Sequence, residues 1–241
     1  MNETVFGLLR LLCVVASVGL GGCMRHRVSV QDEQYFPVRP GTEWTYQIRS
    51  SGVDEDGLRG VVTNTTIQKV HVKELSHRGE VRGAVLSGWP SQMNVWSVMP
   101  SIHGECLLVL LPGGRIHHAG PEGVARWRDP EDFLLELCSN HNVFLPGPLV
   151  EGLPFRDYDS FVRPDGMYAW RVVSHEWGRL EGIRGVSSWR VYEQFRLRYH
   201  TNPGTIELVF VPGIGLLSWR YHHNGTPADQ WVNLIGFSEP E

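Results

Sequence analysis

Residues 189–221 read WRVYEQFRLRYHTNPGTIELVFVPGIGLLSWRY, and this stretch decides the predicted fold. Its first segment alternates between apolar and polar residues. One face carries Trp189, Val191, Phe195, Leu197 and Tyr199, and the other carries Arg190, Gln194, Arg196, Arg198 and His200. A period of two is typical of a half-buried β-strand. We therefore expect the first set in a core and the second set in solvent.

Two short turns carry the pattern onward, at Asn202-Pro203-Gly204 and at Pro212-Gly213-Ile214-Gly215. Glycine and proline at these spacings are typical of hairpin connections between antiparallel strands. The apolar face resumes in two further strands with Ile206, Leu208, Phe210, Leu217, Trp219 and Tyr221, opposite Arg220 and His222. Trp231 to Phe237 has the pattern of a closing strand.

Earlier segments extend the same architecture. Glu43 to Arg49 alternates with Trp44, Tyr46 and Ile48 on one face, and further strands are predicted at Val61–Val72, Val81–Leu86 and Cys106–Leu111. A short helix is predicted at Pro130–Leu137, with Asp129 as its cap. We expect a mainly β protein with little helix, whose curved antiparallel sheet forms an open half-barrel or a sandwich.

The N-terminal segment predicts export and lipidation. Arg10 precedes an apolar run that ends in Leu20-Gly21-Gly22-Cys23, the form of a bacterial lipoprotein signal. The run is shorter than the roughly 20 apolar residues that a membrane-spanning helix needs. We predict a signal peptide at 1–22, a lipidated Cys23 with a polar tether at 23–34, and a single β domain at 35–241. The proline-rich segment 144–155 is the predicted meeting point of two halves of that domain.

Charge and composition limit the partners. Removal of residues 1–22 takes away Glu3 and Arg10, so 25 acidic and 21 basic side chains remain of the original 26 and 22, and the net charge stays at −4. A nucleic-acid binder usually has a basic domain or stripe, so nucleic acid is not expected as the partner. Residue 24 is Met rather than Asp. The resemblance to lipoproteins of bacteria with two membranes implies that such a chain is anchored at the outer membrane, facing the periplasm.

Two cysteines remain in the predicted β domain, Cys106 and Cys138. In an exported protein they form either a disulfide or two separate buried thiols, and both readings stay open because the sequence does not give the distance between them. Neither cysteine has neighbours at the spacing of a metal site.

Two motifs resemble those of uncharacterised bacterial envelope lipoproteins. The first is an aromatic-Pro-x-x-x-Gly-x-x-Trp-x-Tyr pattern, here Phe36 to Tyr46, and the second is a Pro-Gly-x-Gly turn before the final strands, here Pro212 to Gly215. The resemblance implies a β fold in the envelope. It transfers no catalytic residue.

The sequence contains no recognised catalytic, metal-binding or cofactor-binding motif. The chain has no Gly-x-Ser-x-Gly, His-Glu-x-x-His or Gly-x-Gly-x-x-Gly motif. Adjacent histidines in a strand point to opposite faces, so the pairs His117-His118 and His222-His223 each give one ligand at most to a site. His200 and His222 are the best candidates for metal ligands, but two residues do not make a metal site. We expect a protein that is not an enzyme.

Two sets of side chains are predicted to contact a ligand. Of the nine tryptophans, Trp44, Trp189 and Trp219 lie in phase with aliphatic residues and are expected in the core. Trp89, Trp96 and Trp127 lie in the irregular middle of the chain and are expected at an exposed groove. The second set is a basic patch on the polar face of the terminal strands, formed by Arg196, Arg198 and Arg220 together with Arg190.

We therefore expect a non-catalytic binding or assembly module of the cell envelope. Its partners would be the membrane, through the N-terminal lipid, and another envelope protein, a lipid or a glycan. The alternative is a periplasmic carrier that holds an acyl chain in a half-barrel cavity. A hydrolase is a third reading, and it lacks a motif.

Overall fold

The computed structural model describes residues 35–53, 61–90, 102–139, 142–155, 165–225 and 228–240. The predicted signal peptide, Cys23 and the tether lie outside the described residues, as does Trp96. The chain from Tyr35 onward forms one compact unit.

The described part of the chain is mainly β-strand. The strands are β1 (Glu43–Val53), β2 (Val61–Arg78), β3 (Val81–Trp89), β4 (Ile102–Leu110), β5 (Arg115–Ala119), β6 (Val143–Pro146), β7 (Pro154–Phe155), β8 (Trp170–Arg179), β9 (Val191–His200), β10 (Gly204–Val211), β11 (Gly215–His223) and β12 (Asp229–Ser238). One helix, α1 (Pro121–Arg128), lies between β5 and β6. No helix among the described residues is long and apolar enough to cross a membrane.

All twelve strands belong to a single antiparallel sheet in the order β6-β5-β4-β3-β2-β1-β12-β11-β10-β9-β8-β7. The first and last strands of the chain therefore pair with each other in the middle of the sheet. Residues 147–153 connect β6 to β7, the two edge strands. The sheet is nearly closed into a barrel, and the predicted curved antiparallel fold is confirmed.

The alternation that predicted the strands is confirmed where the strands surround the core. Trp44, Tyr46 and Ile48 in β1 are each at most 2% exposed, and Phe195 and Leu197 in β9 are also buried. Inward side chains from strands around the sheet form one cluster of buried residues. The interior of the curved sheet is therefore the main core.

A β-bulge modifies the pattern in β11. Phe210 pairs with Leu216 and Val209 with Ser218, so Leu217 is an extra residue in the ladder. Leu216 and Trp219 are both buried in the main core, whereas Leu217 is half-buried and packs against that core. Because the period is interrupted once, alternation counted along the sequence cannot place both leucines.

Two predicted core residues at the start of β9 are exposed, and that prediction is wrong. Val191 is 50% exposed and Trp189 is 78% exposed. Val191 shares the inward side of β9 with Phe195, but its partner Arg179 on β8 is also exposed, so this residue pair is open to solvent. Trp189 lies in the turn before the strand.

Aromatic rings fill the core around Phe36. Its ring centroid lies 5.5 Å from that of Trp44, 6.5 Å from that of Trp89, 6.3 Å from that of Phe144 and 6.1 Å from that of Phe210. These partners belong to β1, β3, β6 and β10, so one side chain contacts strands distributed around the sheet. The segment that precedes β1 therefore occupies the interior instead of lying on the surface.

The two motifs singled out in the sequence pack against each other. Trp44 donates a buried hydrogen bond from Nε1 to the carbonyl oxygen of Ile214, at 2.6 Å, and the amide of Gly213 donates to the carbonyl of Tyr35. Gly215 has a φ of +105°, in the left-handed region, and a Cβ at this position would lie 3.1 Å from the Phe36 ring. Glycine provides both the left-handed backbone and the space for the ring.

A second, smaller core lies on the other side of the sheet, beneath α1. Trp127 of α1 packs flat against Gly83 of β3, where a Cβ would lie 2.1 Å from the indole. Its Nε1 donates to the hydroxyl of Ser76 at 2.9 Å. Leu107 and Val109 of β4 complete the contact, so α1 covers part of the outer surface of β3 and β4.

The predicted helix at Pro130–Leu137 is wrong, since the helix ends at Arg128. Asp129 is its C-cap, and the Asp129 carboxylate accepts a hydrogen bond from the amide of Glu131. Asp132 similarly accepts from the amide of Leu134. These local bonds form turns that compete with a helix. The observed helix has the same start signals, Pro121 followed by Glu122, nine residues earlier than the predicted start at Pro130.

The disulfide reading for Cys106 and Cys138 is wrong, because both cysteines are free. Cys106 belongs to the main core and lies against the carbonyl oxygen of Gly88, whereas Cys138 packs against the second core under α1. The two thiols therefore lie on opposite sides of β4. Burial raises the pKa of both thiols, which keeps them protonated near neutral pH.

The described structure also contains a buried histidine. His117 of β5 pairs with Val109, a residue of the second core, and is fully buried. Burial lowers the pKa of His117 from 6.5 to about 4, and the positive charge of Arg115 acts in the same direction. The ring is therefore neutral in the folded protein at physiological pH.

Replacement of Phe36 by alanine should destabilise the domain by about 3–5 kcal/mol, because the substitution leaves a cavity among rings from four strands. Phe133→Ala is the matched control, since Phe133 is 89% exposed. Chemical denaturation of both variants measures the difference. Equal stability of the two variants would contradict the central position of Phe36.

Acidification should destabilise the domain through His117. The unfolded histidine, with a pKa of 6.5, binds a proton that the folded one, with a pKa of about 4, does not. Stability from this group is complete above the unfolded value and falls as the pH is lowered toward the folded value, by roughly 2 kcal/mol between about pH 7.5 and about pH 4.5. His117→Leu should flatten this dependence in urea titrations.

His77→Leu is the control for that titration, because His77 is exposed on β2. The His77 variant should keep the wild-type slope of stability against pH. A flattened slope in both variants would show that the pH dependence does not come from burial at position 117.

Candidate functional site

Outward side chains of β8–β12 and β1 form a continuous row across the sheet. In register, the row runs through Arg171, Arg198, Glu207, Arg220, Trp231 and Arg49. We call these six residues the arginine face. Each belongs to a different strand, so hydrogen-bonded pairing of the backbones brings them together.

The charge of the arginine face is strongly positive. Four guanidinium groups face one carboxylate, although the whole chain has a net charge of −4. Arg198 binds the carboxylate of Glu207 through Nε at 3.0 Å and Nη2 at 2.6 Å. Glu207 is the acidic member of the arginine face, and it is paired with Arg198. The charges of the other three arginines are therefore not balanced by a carboxylate of the row.

Arg220 and Arg49 flank the indole of Trp231. Their Cζ atoms lie 5.6 Å and 5.4 Å from the ring centroid, which is the geometry of a cation–π contact. Both arginines are exposed, and no ion pair among the described residues includes either of them. Two guanidinium groups are thus oriented by one ring, without a carboxylate partner in the described part of the chain.

This arrangement suits an anion. A guanidinium group binds carboxylate or phosphate through paired N–H donors, and stacking on an aromatic ring leaves those donors at its edge accessible. Because Trp231 orients both side chains, less conformational entropy is lost when a ligand binds. The arginine face can therefore hold two anionic groups of one ligand.

An open depression of about 200 Å³ adjoins the row. It is lined by Glu207 and Arg220 of the arginine face and by the neighbouring pair Thr205 and His222. His222 contacts Asp229 at 2.6 Å through Nδ1, and His200 contacts the Thr205 hydroxyl at 2.8 Å. The hydroxyl and the carboxylate are thus bound by different histidines, and they do not form one nucleophile–base–acid chain.

The predicted basic patch is divided by the structure. Arg198 and Arg220 both belong to the arginine face. Arg196 lies on the same side of β9 but contacts Glu176 at 3.9 Å, and Arg190 stacks on Tyr192 before the strand. Sequence reasoning missed Arg49, Arg171 and Trp231. Their contribution depends on strand pairing, of which the only sequence signal is a basic or aromatic residue at an outward position.

The predicted groove of tryptophans is wrong for the two residues that are described. Trp89 is 2% exposed and packs beside Phe36, and Trp127 is 3% exposed beneath α1. An irregular sequence around them suggested surface loops, but β3 and α1 bury both rings. Trp96, the third member, lies outside the described residues.

The histidines predicted as the best metal ligands are held apart. His200 and His222 belong to β9 and β11, and Thr205 of β10 lies between them in register. Strands are about 4.8 Å apart, so the two histidines are separated by about twice that spacing. Within the described ranges, no group of three or more His, Cys, Asp or Glu residues has the arrangement to hold a metal ion.

No protein-family model matches this chain, and no curated protein matches it. Among solved structures, it is similar to a protein from Bacteroides fragilis assigned as exported and as having a YmcC-like fold. The TM-score is 0.41 at 12% identity, over 85% of this chain and 99% of the other. A protein from Parabacteroides distasonis assigned as a lipoprotein has a TM-score of 0.38 at 12% identity, over 85% and 98%. At this similarity, neither structure assigns a ligand or an activity to this chain.

Proposed function

We propose that this chain is a lipid-anchored protein of the bacterial cell envelope, whose β domain binds an anionic envelope polymer without catalysis. The observation that carries the binding proposal is the pair Arg49 and Arg220, oriented by Trp231 on an otherwise acidic protein. The lipoprotein signal that ends in Cys23 supports the location. With Met24 after the cysteine, the proposed location is the outer membrane on its periplasmic side.

The filled interior favours surface binding over transport of an acyl chain. A carrier needs a cavity inside the sheet, deep enough to remove most of its ligand from water. Phe36 instead occupies the interior, with four aromatic rings within 6.5 Å of its own. The described core thus places side chains where a carrier would hold lipid.

The register of the arginine face also favours a polymer over a single small ion. Arg171 and Arg49 lie at the two ends of the row, five strand spacings apart, which is roughly 24 Å measured along the curved sheet. A single phosphate or carboxylate reaches only one or two of these arginines. A chain with repeated carboxylate or phosphate groups can contact several of them at once and gain affinity from each.

The double substitution Arg49→Ala/Arg220→Ala should weaken binding of a labelled polyuronic acid by about tenfold or more, because two charge-assisted contacts are lost. The measurement is fluorescence anisotropy with the mature chain, residues 23–241, carrying Cys23→Ser. Trp231→Leu should weaken binding less, because both charges remain but lose their common support.

The matched control is Arg39→Ala/Arg115→Ala, which removes the same charge from two exposed arginines outside the arginine face. This variant should keep wild-type affinity at constant salt. Equal losses in the two double variants would show that net charge, and not the arginine face, governs binding. Wild-type affinity in Arg49→Ala/Arg220→Ala would also contradict the proposal.

A further inference from the structure

The end of the β8–β9 hairpin exposes two tryptophans. Trp177 is 65% exposed and Trp189 is 78% exposed, although a tryptophan usually has most of its large apolar surface buried. Val191, two residues after Trp189, is 50% exposed. We call Trp177, Arg179, Trp189, Arg190 and Val191 the tryptophan hairpin.

The position of Trp177 follows from strand register. Phe195 pairs with His175, and Trp177 pairs with Glu193, so Trp177 continues the inward side of β8 beyond the core. His175 stacks on Phe195 with ring centroids 4.8 Å apart and contacts Glu193 at 2.9 Å. Leu180, in the loop that follows β8, returns to the core, whereas Trp177 and Val191 stay exposed. Here the hairpin carries apolar side chains on a surface that no described strand covers.

Backbone hydrogen bonds attach the loop of the tryptophan hairpin to β12. The loop that follows β8 turns back along β12, where the amide of Arg184 donates to the carbonyl of Ile235 and the amide of Phe237 donates to the carbonyl of Arg184. Gly185 allows this approach, since a Cβ there would lie 2.0 Å from the Phe237 oxygen. The backbone of the loop that leads to Trp189 is thus bound to β12.

The composition of this surface matches a bilayer interface. Tryptophan has a large apolar ring with one polar N–H, and it concentrates at the level of lipid headgroups. Arg179 and Arg190 are exposed beside the tryptophans in sequence. Together with Arg184 they outnumber the exposed carboxylates of Glu176 and Glu181 on this segment, so its net charge is positive and attracts lipid phosphates. In contrast, the other strongly exposed apolar pair, Phe133 and Leu135, lies in a loop beside the exposed Glu131, whose charge an anionic membrane repels.

We propose that the tryptophan hairpin is a membrane-contact site that inserts Trp177 and Trp189 into the headgroup region of a bilayer. Trp177 points to the side of β8 opposite that of the arginine face, so one protein can use both surfaces. The inference rests on the proposed envelope location only for the presence of a nearby membrane.

The test is cosedimentation of the mature chain, residues 23–241 with Cys23→Ser, with vesicles of phosphatidylethanolamine and phosphatidylglycerol. This segment contains every described strand and both cores. The parent protein should bind vesicles, and Trp177→Ser/Trp189→Ser should bind about tenfold more weakly, because most of the inserted apolar area is lost. Phe133→Ser/Leu135→Ser is the matched control and should bind like the parent.

Equal binding by the parent and the tryptophan variant would overturn the proposal, as would loss of binding in the Phe133 and Leu135 variant alone. Sedimentation equilibrium without vesicles gives another decisive result. If the parent forms a dimer that the tryptophan substitutions dissociate, a second copy of this chain, and not lipid, covers the hairpin. Because both substituted positions are exposed, the variant should keep the thermal stability of the parent.

The intact mass of the full chain purified from membranes tests lipidation of Cys23 separately. A lipidated Cys23 with no vesicle binding by the hairpin would reject this inference and leave the proposed location intact. An unmodified Cys23 with hairpin-dependent vesicle binding would reject the proposed lipid anchor and support the membrane-contact site.

Discussion

Burial of Phe36 is the constraint on which the rest of the structure depends. Its ring contacts side chains from β1, β3, β6 and β10, which lie far apart in the strand order but close together across the interior. A curved sheet can bury a common core only if something fills the space inside it. The N-terminal segment does so, and the hydrogen bond from Trp44 to Ile214 joins that segment to the turn between β10 and β11. Since β1 also pairs with β12, the two ends of the chain complete the same core.

The sequence predicts the strands well because their signal is local. In β1 and in most of β9–β11, each inward residue can be identified from its neighbours two positions away, and the structure confirms those faces. The failures concern where the core ends and what covers it. Val191 obeys the alternation but is 50% exposed, and Trp89 and Trp127 are buried by tertiary packing that no local pattern reveals. Cys106 and Cys138 lie on opposite sides of the sheet, in two different cores. Their spacing in the sequence does not show this.

The candidate site is predictable only in part, for a related reason. Arg198 and Arg220 belong to the clearest alternating stretch, so their outward direction can be deduced from it. Arg49 is far away in sequence, and it joins them only because β1 pairs with β12 and β12 pairs with β11. The aromatic ring that supports both arginines, Trp231, lies on the strand between them. A cross-strand row is a property of register, and register across the first and last strands is not encoded in any local segment.

The two proposed surfaces differ in the force that drives binding, and this difference separates them experimentally and functionally. Contacts made by the arginine face are electrostatic and exposed, so added salt weakens them within the screening length of about 10 Å at moderate ionic strength. Contacts made by Trp177 and Trp189 are mainly apolar, and salt does not screen the transfer of a ring out of water. A rise in ionic strength would therefore release a polymer from the arginine face while the hairpin stays on the bilayer. Because Trp177 and the arginine face use opposite sides of the same hydrogen-bonded sheet, the domain can remain at the membrane while its polymer contacts form and break.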